Sequence, residues 1–503
     1  MNLGLRWDFF GLVGDKYGAQ GNFVPGPPGA GAEFLIPTSR KSDQLSPSFV
    51  DLLQKDGIQL SYTDAYGAGL GHSQKTNFAP RMGFAYQLTP KFVLRGGYGI
   101  FYGGFENRGG YPALGYNYPF QFAFNFPSAN SWTPVTYSDG QLATLERGFL
   151  SIPLSPALVE AQGLALRGIW LNYITSYMQM YNLTTQYELT PNDSLEVGYV
   201  ASLGRHIESF PGTNQTSKVL PPGTNPQLYV AYPDFSRGEP YATNETNGYY
   251  HSLQTKYTRR MAKGLDMLVA FAWAKTRTNA GDLLSGGGIA GFRAPGIPGF
   301  GVERDYGLAS FDIRKAFSLS GTYQLPVGPG QRFLSGSSGF TNALLGGWSM
   351  NGILTLNDGF PQTINCVTAG AAGVGCYALL VPGQDRYAGK HNVDQWMNPA
   401  AFADPPAATT IGQTDFAPLG GAATQIIGPG FHRLDWSLFK QFRVTERTRF
   451  EFRAEFFNLT NHPNFALPSY TSYKSTSTFG KIVATSDSPN DPRQVQSALK
   501  FYF

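Results

Sequence analysis

Side chains of opposite character alternate along many segments of this chain. In residues 449–457 the even positions carry phenylalanine or alanine, and the odd positions as far as 455 carry arginine or glutamate. Successive side chains of a β-strand point to opposite faces, so this segment is predicted to be a strand with one apolar and one charged face. The same period-two pattern returns throughout the chain, which predicts an all-β fold. The charged face of this segment consists of Arg449, Glu451, Arg453 and Glu455.

The alternation predicts about twelve strands. Most are ten residues long or slightly longer, and a tilted strand needs about 9–11 residues to cross the hydrocarbon layer of a membrane. Each segment is therefore long enough to span a bilayer. The predicted strands cover residues 2–10, 78–88, 92–103, 177–189, 194–204, 249–260, 265–276, 311–325, 346–358, 432–443, 448–458 and 493–503.

Short and long connections alternate between these strands. Outer-membrane barrels have short periplasmic turns and long extracellular loops, so the alternation predicts an antiparallel transmembrane β-barrel whose first strand runs outward. The long connections are rich in glycine, proline, asparagine and serine, and we expect them to lack regular secondary structure. The short connections are 89–91, 190–193, 261–264 and 444–447, with 326–345 a longer member, and the long ones are 11–77, 104–176, 205–248, 277–310, 359–431 and 459–492.

The composition agrees with a half lipid-exposed surface. Charged residues make up 14% of the chain and aromatic residues 15%, whereas a typical soluble domain is about 25% charged. A net charge of +4 without a basic run argues against nucleic-acid binding. The longest apolar stretch, residues 267–274, is far shorter than the roughly 20 residues of a membrane-spanning helix.

The chain contains two cysteines, Cys366 and Cys376, separated by small residues. One interpretation is a pair of unrelated free thiols. The other is a short disulfide across a surface loop, which requires an oxidising compartment. A metal site is not expected, because no histidine or second cysteine pair lies nearby.

The sequence lacks a recognisable catalytic motif. The glycine-rich segment 96–99 lies inside a predicted strand and is expected to ease strand curvature rather than to bind a nucleotide. The six histidines show no ligand spacing. We therefore predict no enzymatic activity and no cofactor.

The N-terminus lacks the charged, apolar and small-residue regions of a signal peptide. A protein of the bacterial outer membrane needs such a signal to reach its compartment. We therefore expect this chain to lack the front end of a longer protein.

Several segments resemble the TonB-dependent transporter family, in particular its Oar-like branch. They are residues 2–8 (NLGLRWD), the hairpin formed by 77–86 (NFAPRMGFAY) and 94–102 (LRGGYGIFY), and 449–461 (RFEFRAEFFNLTN). The chain ends on Phe501, Tyr502 and Phe503. In this family a C-terminal aromatic residue is the signal for the barrel assembly machinery, which the resemblance assigns to Phe503.

The resemblance implies the fold and function of a receptor for energised uptake. Barrels of this class have 22 strands, so twelve strands that begin with an outward one correspond to the last twelve. Residues 1–503 are then the C-terminal part of the barrel domain, without the plug and N-terminal domains. Coupling to the inner-membrane TonB complex would run through those missing parts. The extracellular ligand is not identified by the resemblance.

Two other interpretations remain open at the level of sequence. A self-contained twelve-stranded barrel would serve as a passive channel, an adhesin or a surface enzyme, and it requires direct pairing of the first and last strands. A soluble β-rich sugar-binding protein or hydrolase would instead pack its apolar faces into a sandwich core.

Overall fold

The computed structural model of the protein describes most of the chain. The described residues are 1–26, 31–43, 45–103, 113–121, 130, 132–137, 140–148, 164–209, 212–216, 218–237, 241–280, 306–337, 339–373, 376–389, 391–413, 424–443, 445, 448–486 and 492–503.

Twelve strands form one continuous antiparallel path in chain order, as predicted. Two short strands join this path, Gly307–Leu308 beside the seventh strand and Gly168–Ile169 beside the sixth, which makes a fourteen-stranded sheet. The twelve strands are β1 (Asn2–Asp8), β2 (Asn77–Thr89), β3 (Phe92–Gly103), β4 (Ser176–Thr190), β5 (Asp193–Ser209), β6 (Tyr241–Ala262), β7 (Leu265–Thr278), β8 (Lys315–Gln324), β9 (Trp348–Asn357), β10 (Phe431–Arg443), β11 (Arg449–Phe457) and β12 (Gln494–Tyr502).

Strands β5 and β6 are longer than predicted. They have 17 and 22 residues, because their pairing continues past the predicted ends through register shifts between Thr243 and Gly248. Such bulges allow a ladder to continue where the strict alternation of side chains is lost. Alternation alone therefore underestimates the length of these two strands.

The register gives the sheet two chemically distinct faces. Leu319 pairs with Val269 and Leu354, whereas the next residue, Ser320, belongs to the opposite face. The apolar face includes Leu5, Met82, Tyr98, Leu183, Val197, Leu253, Phe271, Leu319, Leu354, Leu438, Phe452 and Leu499, and the polar face includes Arg6, Arg81, Arg95, Asn182, Glu196, Gln254, Asp266, Ser320, Asn351, Ser437, Glu451 and Lys500.

The apolar face does not pack into a sandwich core. Leu5 is 71% exposed, Trp273 55% and Leu499 67%. Such side chains are stable in this position only next to lipid. This arrangement contradicts the interpretation as a soluble sandwich.

The path has two edges, β1 and β12. Within the described residues β1 pairs with β2, β12 pairs with β11, and no ladder joins β1 to β12. The sheet thus presents one unpaired edge at each end of the path.

The first long connection is not structureless, and that expectation was wrong. It contains a three-stranded sheet, Asn22–Val24, Ala32–Ile36 and Ile58–Tyr62, and the helix α1, Pro47–Lys55. Proline at the first helical position is pre-organised for a helix start. Phe23, Phe34, Phe49 and Leu53 are completely buried together with Phe235 from a later connection, and we call this cluster the first loop core.

A second loop core unites the connections 359–431 and 459–492, which were also expected to lack structure. Two short ladders support it, Pro361–Gln362 with Ile426–Ile427 and Leu379–Leu380 with Phe402–Ala403. Its buried residues are Ile364, Ala378, Met397, Ala401, Phe402, Ile426, Tyr473 and Phe479. Both loop cores lie at the end of the sheet where the long connections emerge.

The longest of the short-turn connections contains the helix α2, Gly339–Leu345. The described residues contain no helix that is both long and apolar enough to cross a membrane.

Candidate functional site

Ion pairs line the polar face of the sheet. Arg6 contacts Asp8 at 2.5 Å and Arg433 contacts Asp435 at 3.0 Å, each pair spaced by two residues on one strand. Residues i and i+2 of a strand share a face, so the period-two pattern brings these charges together. The polar face is therefore a hydrogen-bonding surface on which several charges are paired along single strands.

The four charged residues predicted on β11 lie together on this face. Glu451 is buried, and it accepts hydrogen bonds from the Arg453 guanidinium and, at 3.0 Å, from the Gln441 amide. Lys500 of β12 lies opposite Glu451. This network accounts for the burial of a carboxylate in the sheet, because a buried charge is stable only when it is paired.

Aromatic rings support the two arginines. The Arg453 guanidinium lies 5.0 Å from the ring centre of Phe439, and the Arg449 guanidinium lies 4.5 Å from that of Tyr502. Glu455 lies opposite Ser437 and Gln496. Rings hold guanidinium groups in place without neutralising them.

A cavity of about 280 Å³ lies along the middle strands of the polar face. Its polar lining includes Thr184, Gln254 and Thr355, and a loose ion pair between Lys256 and Glu196 at 3.8 Å. A second cavity of about 260 Å³ lies at the short-turn end, where Arg95, Glu188 and Arg260 contribute. Both cavities offer donors and acceptors suited to a polar solute.

A carboxyl pair joins α1 to the connection between β5 and β6. The Asp234 amide donates to the Asp56 carboxyl at 3.0 Å, and the Lys55 ammonium contacts the Asp234 carboxyl at 2.7 Å. Burial, together with the nearby negative charge of Asp234, raises the pKa of Asp56 to about 6. This contact of the first loop core therefore responds to mild acidification.

At the corresponding contact of the second loop core, the carboxyl pKa is lowered rather than raised. Asp404 contacts the Lys474 ammonium at 2.5 Å and accepts hydrogen bonds from the Thr368 amide at 2.9 Å and from the Tyr473 hydroxyl. Burial raises the pKa of Asp404, but these donors outweigh it and hold that pKa well below its usual range.

The two cysteines lie in the connection 359–431, next to Ile364 and Ala378 of the second loop core. A disulfide joins Cys366 and Cys376, whose Cα atoms are 5.5 Å apart. Backbone hydrogen bonds flank the bridge, from the Cys366 amide to the Cys376 carbonyl at 3.0 Å and from Ala378 to Ile364 at 2.9 Å.

The histidines form no metal site within the described residues, where no three His, Cys, Asp or Glu side chains are arranged around a common point. His251 contacts the Tyr199 hydroxyl at 2.6 Å, and His432 stacks on His462.

Lys440 was not predicted as a functional residue. It lies on the apolar face between Trp348 and Phe452, yet it is only 2% exposed. Its ammonium group donates to the carbonyls of Leu344 at 3.1 Å and Gly346 at 2.5 Å, at the end of α2. The sequence signal that could have identified Lys440 is a lysine at a position where the alternating pattern calls for an apolar residue.

Twelve amphipathic antiparallel strands, with an apolar face that requires lipid and a polar face, define an outer-membrane β-barrel protein. The chain belongs to the family described as outer membrane beta barrel domain, which it matches over residues 1–496.

Solved structures resemble the chain at low identity and with TM-scores below 0.5. The outer membrane transporter YddB from Escherichia coli is 10% identical, with a TM-score of 0.42, and the match covers 85% of this chain and 40% of that one. BauA, the ferric preacinetobactin receptor from Acinetobacter baumannii, is 10% identical with a TM-score of 0.37 over 85% of this chain and 36% of that one. Fiu, a ferric-catecholate import receptor from E. coli, is 9% identical with a TM-score of 0.35, and the match covers 89% of this chain and 38% of that one.

The chain thus spans about two fifths, or slightly less, of the length of these structures. No curated protein matches the chain.

Proposed function

We propose that this chain is part of the wall of a TonB-dependent transporter of the Oar-like branch, which takes up a bulky, scarce ligand across the outer membrane. The observation that carries the proposal is the pair of unpaired edges in a sheet of twelve membrane-spanning strands. The polar face and the loop cores supply the ligand-contacting surfaces in this proposal.

The unpaired edges argue for further strands. Backbone N–H and C=O groups cannot remain unsatisfied in the hydrocarbon layer, so a membrane sheet must close. The apolar face continues to both edges, with Leu3 and Leu5 on β1 and Leu499 and Phe501 on β12 all exposed. Additional strands between β12 and β1 would complete a 22-stranded barrel of the transporter type.

The polar face would then line the lumen, and Arg449, Glu451, Arg453 and Glu455 would form part of its charged wall. Ligand selection would lie in the lumen wall and the extracellular loops, because the polar face offers hydrogen-bonding groups. Gating and coupling to the TonB complex would belong to a plug and a TonB box outside this chain. Phe503 would serve as the signal for barrel assembly.

A distance measurement in the intact protein tests the proposal. Spin labels on Leu5→Cys and Leu499→Cys, in a Cys366→Ser/Cys376→Ser background, should lie about 40 Å apart if ten further strands separate β12 from β1. A label pair on Leu3→Cys and Met82→Cys, which are opposite each other in β1 and β2, gives the distance expected for neighbouring strands.

Edge labels as close as the neighbour pair would mean that β1 and β12 pair directly. That result would support a self-closed passive channel or adhesin-like barrel and would overturn the transporter proposal. The DNA that precedes the Met1 codon gives a second test, since it should encode a plug and a TonB box in frame.

A further inference from the structure

Positive charges gather at one place on the apolar face. Lys275 lies opposite His251, and Arg277 lies opposite Tyr249, at the long-loop ends of β6 and β7. Lys315, at the start of β8, lies opposite Trp273, and Arg205 of β5 shares the face with Tyr177. We call Arg205, Lys275, Arg277 and Lys315 the rim patch.

The rim patch is compact. Lys275 and Arg277 are two residues apart on one strand, a separation of about 7 Å. Lys315 is the diagonal neighbour of Lys275, at about 7–8 Å. The three long side chains can therefore reach one polyanionic group.

Aromatic rings, rather than carboxylates, hold the arginines of the patch. The Arg205 guanidinium lies 4.5 Å from the ring centre of Tyr249, and the Arg277 guanidinium lies 4.5 Å from that of Tyr306. The two tyrosine rings contact each other edge to face at 5.9 Å. The rings fix the positions of two cations and leave their charge available.

The charges of the rim patch have no ion-pair partner among the described residues. The side chain of Asp312 is only 2% exposed. It forms an ion pair with Arg314 at 3.7 Å and accepts a hydrogen bond from the Thr276 amide at 2.5 Å. Asp358 lies beside Lys315, where its amide donates to the Lys315 carbonyl at 3.0 Å without an ion pair. By contrast, Arg259 at the opposite end of β6 pairs with Asp193 at 2.9 Å.

Among the described residues of the sheet, the patch is confined to β5, β7 and β8. The apolar-face residues nearest the long-loop ends of the other strands are aromatic or aliphatic, except for a histidine on β10: Trp7, Phe78, Tyr102, Tyr177, Leu356, His432, Phe456 and Val495. Directly below the patch, the same face carries Leu253, Trp273 and Phe317. Cations therefore stand above an apolar wall at one sector of the barrel.

We propose that the rim patch binds the phosphate groups of a phosphorylated lipid of the outer leaflet, whose acyl chains lie along Leu253, Trp273 and Phe317. The long loops place the patch at the extracellular membrane surface, because they mark the outer side of the barrel. Its position on the lipid-facing side, away from the polar face, makes a membrane lipid the ligand rather than a soluble phosphate. Each Lys or Arg near an anionic membrane surface contributes about 1 kcal/mol.

The test uses the intact protein, purified in mild detergent, and its triple variant Lys275→Gln/Arg277→Gln/Lys315→Gln. Native mass spectrometry measures the retention of lipid A carrying two phosphates. Removal of three cations should weaken retention about 100-fold, since about 1 kcal/mol each corresponds to a factor of about five. Dephosphorylated lipid A should bind the original protein as weakly as it binds the variant.

Two controls separate charge from folding. Lys275→Arg/Lys315→Arg keeps the charge and should retain the lipid. Lys16→Gln/Lys41→Gln removes two exposed loop lysines far along the chain from the patch and should also leave retention unchanged.

Equal retention of lipid A by the original protein and the triple variant would overturn the proposal, as would equal retention of the dephosphorylated lipid. Displacement of lipid A by millimolar inorganic phosphate would show a site for free phosphate and would likewise overturn it.

Discussion

The sheet and the loop cores bury apolar surface by opposite means. In the sheet, other protein atoms cover less than half of large apolar side chains such as Leu5 and Trp273. In the first loop core, Phe23, Phe34 and Phe49 are completely buried by protein atoms. The sheet therefore depends on lipid for its stability, whereas the loop cores are built as soluble domains are.

This difference separates the two regions energetically. A barrel wall is held by its backbone ladder and by lipid contact, so its side chains tolerate exchange for others of similar polarity. A packed core is sensitive to the loss of single methylene groups. If the two regions are independent, a substitution in one should leave the stability of the other unchanged.

The largest effect is expected in the first loop core. Phe49→Ala should lower the free energy of opening of α1 and the strand Ala32–Ile36 by about 3–5 kcal/mol, because it leaves a cavity among buried rings. Hydrogen exchange of these amides measures the effect. Tyr17→Ala, which removes a ring that is 71% exposed, should change it by less than about 0.5 kcal/mol. A comparable loss of protection in β2 and β3 would show that loops and sheet are one cooperative unit.

The second prediction concerns the two faces of the sheet. Leu319→Arg places a charge in the middle of the apolar face of β8 and should destabilise the membrane-inserted protein by about 2–4 kcal/mol. Ser320→Arg places the same charge on the polar face and should cost less than about 1 kcal/mol. Denaturant unfolding from lipid vesicles compares the two variants. If they cost the same, the assignment of the faces is wrong.

The third prediction concerns the cysteine pair. Cys366→Ser/Cys376→Ser should lower the opening free energy of the second loop core by about 2–3 kcal/mol, as expected for closing a short loop, and should leave the first core unchanged. The hydrogen-exchange rate of the Ala378 amide measures this change in opening free energy. A reductant should weaken the original protein but not the variant. Two titratable thiols in the unreduced protein would contradict the pairing.

The smallest effect is a pH dependence that differs between the loop cores. The pKa of Asp56 is about 6 in the folded protein, above its ordinary value of 3.8, so the folded form binds the proton more tightly. Protonation of Asp56 therefore stabilises the first loop core; this stabilisation is complete below about pH 4 and is lost as the pH rises through 6. Because Asp56 is partly solvated, the change should amount to about 1 kcal/mol after allowance for solvent screening.

Asp56→Asn should abolish this dependence in hydrogen exchange of α1. The Asp404 contact of the second loop core supplies the comparison, because its lowered pKa keeps it intact over the same range and weakens it only in stronger acid. Parallel pH profiles for both cores would contradict the assignment to Asp56.

The sheet was predictable from sequence to a degree that the loops were not. Period-two alternation depends on neighbouring residues, so it located all twelve strands of the path and the shared face of Arg449, Glu451, Arg453 and Glu455. It does not report contacts between distant segments. Phe23, Phe49 and Phe235 come from separate parts of the chain, and no local period connects them.

The rim patch was hidden for a related reason. Lys275 and Lys315 are 40 positions apart in the chain, and only the register of β7 and β8 brings them together. Lys440 had a local signal, a charge at an apolar position, but its partner carbonyls belong to α2, whose place beside the sheet follows from tertiary structure alone.

The unusual length of β6 has a mechanical consequence. Its 22 residues correspond to roughly 70 Å of extended chain, of which about half is needed to cross the bilayer. The remainder, paired with β5, stands above the membrane as a lever, and its ladder carries register shifts between Thr243 and Gly248. Because such bulges bend a strand locally, a load applied at the tip of this lever is partly absorbed at its base before it reaches the barrel wall.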